Sequence, residues 1–171
     1  MNNLDIWGID FDACPIPKEE RDMGMVMHSA FCIIDIVDPS EAVMCEAAKV
    51  PDVYPYIKHP TEAVKIAHIK SNPHQFYHII NPSYELQVLA VQIAMHPRGW
   101  PITHTAPLKY IDNPSIELQL LSVQQDGLTI QYIENPDEEV QLAAVRQNPL
   151  AIQYIKNPTD AVGMIALLMK E

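Results

Sequence analysis

The chain has 171 residues, 48% of them hydrophobic and 19% charged, a globular balance that can bury one core and not that of a disordered chain. Its formal net charge of −11 is uneven: residues 1–62 carry 12 acids against 4 bases (net −8), and residues 63–171 carry 10 against 7 (net −3). A field of that sign opposes direct nucleic-acid binding, and the longest apolar runs, FCII and IALLM, are far too short to cross a bilayer.

The N-terminus, MNNLDIWGIDFD, starts acidic and lacks a basic segment, so no signal peptide is expected and the cytoplasm is the expected compartment. Residues 1–33 read as a cap over one end of a repeat array. Leu4, Ile6, Ile9 and Phe11 alternate with polar residues around Gly8, which fits a short strand or hairpin. CPIPKEERD reads as a turn and MGMVMHSAFCIIDIV as an apolar helix. Asp10-Phe11-Asp12 has the form of an Asp-x-Asp metal or phosphoryl-transfer motif. That chemistry needs the pair at the end of a parallel strand in an alternating β/α chain, and no such alternation follows. Cys14, Cys32 and Cys45 match neither a zinc spacing nor a disulfide framework, and read as small reduced hydrophobes.

From residue 35 onward one phrase returns. Its proline stands at Pro39, Pro60, Pro82, Pro114, Pro136 and Pro158, at intervals of 21, 22, 32, 22 and 22. Three residues before each proline is an isoleucine: Ile36, Ile57, Ile79, Ile111, Ile133 and Ile155. One position further back, Tyr56, Tyr110, Tyr132 and Tyr154 share a site with Asp35 and His78. Directly before the proline come Asp38, His59, Asn81, Asn113, Asn135 and Asn157.

Asn-Pro predicts a helix start, with Asn as N-cap, Pro as first helical residue, and Glu41, Glu62, Glu138 or Asp160 completing a capping box. Helical periodicity follows. Val43, Val64, Leu86, Leu118, Val140 and Val162 lie four residues after the proline, and Ala48, Ile69, Val91, Val123, Val145 and Leu167 nine after. Lys65, Gln87, Gln119 and Gln141, five after, read as an outward row, either an amide ladder or the lining of a binding groove. Each helix ends at a breaker (SNP, DG or NP), and a second short apolar helix follows. His74 and His78 on one such segment read as partly buried structural histidines.

The 32-residue interval holds an insertion, 95–109, with three prolines and a glycine. It predicts a projecting loop carrying His96, Arg98, Trp100 and His104. Trp and Arg are the types most enriched at interface hot spots; a metal site from His96 and His104 has no third ligand in view. At the far end AVGMIALLMKE exposes Met164, Ile165, Leu168 and Met169 behind a thin polar end, which points to a homodimer.

Two short helices in 22 residues cannot bury their apolar faces alone, so stacking must supply the rest. The expected fold is all-α: an α-solenoid of about six helix-pair repeats over 34–171, with 1–33 as its cap. The pattern I-x-N-P-[ST/D]-x-E-[VL]-Q-[LV]-x-[AS]-V resembles the short helical repeats of an uncharacterised family found in bacterial and viral proteins, and more loosely HEAT-type repeats. That resemblance implies the fold and no activity. Its viral members imply an accessory or host-interaction role, in the host cytoplasm if the source is viral.

The expected function is a non-enzymatic protein-protein interaction module, an inhibitor or adaptor without cofactor, metal or membrane. It would bind a basic protein partner through Asp10, Asp12, Glu19 and Glu20 of the acidic N-terminal face and through the 95–109 loop. One alternative is an acidic nucleic-acid mimic that blocks a basic enzyme. The other is a small-ligand or metal-binding protein or enzyme using Asp10 and Asp12.

Overall fold

The computed structural model describes residues 16–94 and 106–169. Among them there is no strand, and α-helices alternate with short 3-10 helices. The chain forms two compact units, Met1–Ser71 and Asn72–Glu171. In the first, α1 (Lys18–His28), α2 (Glu41–Ala48) and α3 (Glu62–Ser71) pack in chain order, α1 on α2 and α2 on α3. In the second, α4 (Tyr84–Ile93), α5 (Ile116–Gln125), α6 (Glu138–Gln147) and α7 (Asp160–Leu168) do the same. The apolar segment after each breaker is a 3-10 helix, as at Gly127–Tyr132 and Pro149–Tyr154, which pack on each other. These tight helices are three to six residues long, and each stops before the next proline.

Each helix does not start where Asn-Pro predicts. The N-cap is the residue after the proline: Ser40, Ser83, Ser115 and Thr159 accept from the backbone N–H three residues on, and Thr61 makes the same bond to Val64. Asp137 holds the position in copy five without a side-chain cap bond. The residue before the proline does a different job. Asp38, His59, Asn81 and Asn113 have φ between 49° and 53°, the left-handed region. Asn and Asp tolerate that region best among non-glycine residues, which suits Asp38, Asn81 and Asn113; Asn135 and Asn157 hold the same position without a positive φ. The carboxylates of Glu41, Glu62, Glu138 and Asp160 therefore begin the helix instead of completing a capping box. They act on the positive end of its dipole.

The core follows the period. The six residues four after the proline are all buried, as are the six isoleucines three before it. Residues nine after are buried from Ala48 to Val145, but Leu167 is 70% exposed. The position eight after, small in Ala47, Ala90, Ser122, Ala144 and Ala166, holds His68 in copy two. His68 is fully buried; its Nδ1 lies 3.1 Å from the Ala48 carbonyl oxygen and its ring stacks on Tyr54 with centroids 4.3 Å apart. Gly127 marks a close approach, because a Cβ there would meet the Ala144 carbonyl oxygen at 2.3 Å. Its N–H donates to Gln147 Oε1 at 2.6 Å, while Gln147 Nε2 donates to the Gln125 carbonyl at 3.1 Å. One amide thereby clamps α6 to the breaker of the preceding copy.

The segment before Ile36 also differs from its sequence reading. Lys18–Asp22 is helical, not a turn, and α1 stops at His28, where Ser29 is extended. A 3-10 helix, Ala30–Ile34, then leads into the first phrase. This is the α-then-3-10 order of the next five copies, and Pro17 stands 22 residues before Pro39. The repeat order thus begins at Lys18, earlier than the Ile-x-x-Pro phrase reveals. The strand or hairpin expected over 4–12 lies outside the described residues.

Candidate functional site

Of the residues singled out in sequence, Asp10, Asp12, His96, Arg98, Trp100 and His104 lie outside the described residues. Glu19 and Glu20 sit exposed in the first turn of α1, and Glu19 accepts a hydrogen bond from the Ser40 hydroxyl at 3.1 Å. That bond gives Glu19 a structural task. His74 is exposed and His78 half-buried, its ring 4.2 Å from that of Tyr77. Cys32 and Cys45 are free and half-buried; burial first, then Glu41, push the Cys45 thiol up, so it stays protonated and weakly nucleophilic. Among the described residues no three His, Cys, Asp or Glu side chains are grouped to hold a metal, and no helix is long and apolar enough to cross a membrane.

The glutamine row is not an outward ladder. Gln87, Gln119 and Gln141 each turn Nε2 back onto the carbonyl of the proline five residues before, at 3.1, 2.8 and 2.9 Å from Pro82, Pro114 and Pro136. Each amide so ties its helix to the loop that starts it. Gln141 goes furthest inward: it is 7% exposed, and its Oε1 is buried without a hydrogen-bond partner among the described residues. The Pro136 carbonyl accepts only from the NH2 group, which leaves the oxygen as the unused atom.

Gln141 lines a cleft of about 370 Å³ between the loops of copies five and six. Buried Ile133, Ile155 and Gln141 make its floor, and Tyr132 and Tyr154 its aromatic walls. The rim is exposed and polar, with Glu134 and Asp137 against a single cation, Lys156. The walls belong to a longer aromatic row. Tyr110 is 39% and Tyr154 41% exposed, and the Tyr77 ring lies 5.8 Å from that of Tyr110. Burial, and then Tyr110, Asp126 and Tyr154, push the Tyr132 hydroxyl up, as a phenol held among acidic neighbours requires. The cleft thus brings together two tyrosine side chains and a negative rim above a buried acceptor that is closed to water.

Sequence reasoning reached the Tyr and Gln rows and left a groove along the Gln row open, but did not reach the buried acceptor beside it. The missing signal was the return of each Gln to its own proline, which decides which amide atom is left over. No family model, no curated protein and no solved structure matches this chain.

Proposed function

We propose that the chain is a non-enzymatic interaction module that binds a basic segment of a protein partner along its row of Tyr-Ile-x-Asn-Pro loops. The observation that carries this reading is the aromatic row itself. Tyr77, Tyr110 and Tyr154 stay substantially exposed although each adjoins a core isoleucine or its loop. Tyrosine supplies a large, amphipathic contact area at low entropy cost. The formal charge of −11 suits a basic partner and raises its association rate. Arg98 and Trp100 of the 95–109 segment are a further contact proposed on residue type.

The test is capture and cross-linking mass spectrometry of partner proteins by the wild type and by a Tyr110→Ser, Tyr132→Ser, Tyr154→Ser variant. Cross-links on the loops, lost in the variant while its helical circular dichroism is kept, are expected. Equal capture by both would sink the reading. A nucleic-acid mimic, the sharper form of the same idea, requires an affinity that falls steeply with salt.

A second reading is self-association through α7. Leu167 is 70% exposed where Val123 and Val145, its counterparts in the two preceding copies, are fully buried, and Met164 and Leu168 beside it are 60% and 70% exposed. Light scattering should find a dimer that Leu167→Lys dissolves; a monomer at every concentration removes this reading.

A further inference from the structure

We propose that the cleft between copies five and six is the receptor for a guanidinium group, the side chain of an arginine presented by a segment of the partner protein. The proposal rests on the protein-binding reading and names what one of its sites takes.

Three features converge on that chemistry. The first is the buried oxygen of Gln141. Its partner atom, Nε2, is committed to the Pro136 carbonyl at 2.9 Å, and the same bond in Gln119 and Gln87 shows that this amide orientation belongs to the repeat. What remains beneath the cleft is an unpartnered acceptor closed to water, so the complementary ligand group is a donor that reaches it as the lining side chains part. The second is charge. Glu134 and Asp137 outnumber Lys156 at the rim, so a cation is drawn in and an anion repelled. The third is the pair of tyrosines in the lining, Tyr132 and Tyr154, a ring type that attracts a cation lying over its face.

Guanidinium fits these together better than ammonium. It is planar, can lie against an aromatic face, and carries five N–H donors in a fixed fork. It can therefore serve a floor oxygen and a rim carboxylate at once, and it sheds water more readily. A volume of about 370 Å³ admits one long side chain, and the exposed rim leaves room for the chain that presents it.

The experiment titrates the full-length, 15N-labelled protein with a capped Gly-Ser-Arg-Ser-Gly peptide, its citrulline and lysine counterparts, and free L-arginine, followed by NMR. The arginine peptide should shift the Gln141 side-chain amide and the backbone signals of Tyr132 and Asn157 in a saturable way. Citrulline, which keeps the shape and loses the charge, should bind about tenfold more weakly or worse, as expected for a lost cation–π and charge-assisted contact. Asp137→Asn and Tyr154→Ser should each weaken the arginine peptide severalfold with the thermal midpoint kept. Gln141→Leu should abolish its binding, while Gln119→Leu, which removes the same hydrogen bond one copy earlier, should not.

Shifts outside the cleft, equal binding of citrulline, or no saturable shift would overturn the assignment. Free arginine binding as tightly as the peptide would overturn the partner segment as its source. The broader reading fails separately: it falls if the triple tyrosine variant still captures the partner, and stands if that capture is lost, whatever the peptides do.

Discussion

The Ser40 hydroxyl donates to Glu19 Oε1 at 3.1 Å, tying the cap of α2 to the first turn of α1. Thr159 donates to Glu138 Oε1 at 2.7 Å in the same relation, one residue after a proline reaching two residues after the preceding one. Both hydroxyls also accept from their own helix, from Val43 and Val162. A hydroxyl can do both at once, whereas Asp137 in the same position has no proton to give. Thr159→Ala should then cost about 1 kcal/mol, chiefly through the lost cap. A double-mutant cycle with Glu138→Ala should find a coupling of about 0.2–1 kcal/mol for the exposed inter-copy bond. Chemical denaturation of the four proteins measures both, and zero coupling would mean that the bond does not join the copies in solution.

Asn113, at φ 49°, gives a direct test of what the residue before the proline does. If it is there for the left-handed conformation, Asn113→Gly holds or raises stability and Asn113→Ser lowers it by about 1 kcal/mol. A capping role would make the opposite forecast, with Ser neutral and Gly slightly worse. Denaturation midpoints of the two variants separate the cases.

The same residue shows what was legible beforehand. Both an N-cap and a left-handed residue prefer Asn, so residue type alone does not separate them; the Ser or Thr after five of the six prolines was the overlooked sign. The buried positions were readable because Val and Leu recur at a fixed offset, and every one of the six isoleucines proved buried. The start at Pro17 was hidden because copy zero has Arg21 where later copies have Val or Leu. A groove along the Gln row was one reading of the sequence, but the character of the cleft was hidden for another reason. It depends on a side-chain-to-backbone bond, Gln141 to Pro136, and on which amide atom that bond leaves over.

Gly127 sits where two copies come closest. Gly127→Ala would drive a Cβ against the Ala144 carbonyl and disturb the bond from its N–H to Gln147. A cost of about 1–3 kcal/mol or more follows from overpacking of this kind. Gly24, whose Cβ would meet nothing within 4 Å, is the control, and Gly24→Ala in α1 should gain about 0.5–1 kcal/mol from helix propensity. Equal responses at the two sites, measured by thermal unfolding, would contradict the close contact.

Tyr54 sets the response of the first unit to alkali. Burial, and then the Glu62 carboxylate, push its hydroxyl up from 10.0 to about 12. The folded state favours the neutral phenol, so its contribution is complete below pH 10 and is lost as pH rises toward 12. Tyr54→Phe keeps the ring against His68, with which it stacks at 4.3 Å, and removes the proton. The variant should lose less stability than the wild type between pH 10 and 12, and its tyrosinate absorbance titration should lack the component that ionises near 12. Parallel loss of stability in the two proteins across that window would show that Tyr54 does not govern it.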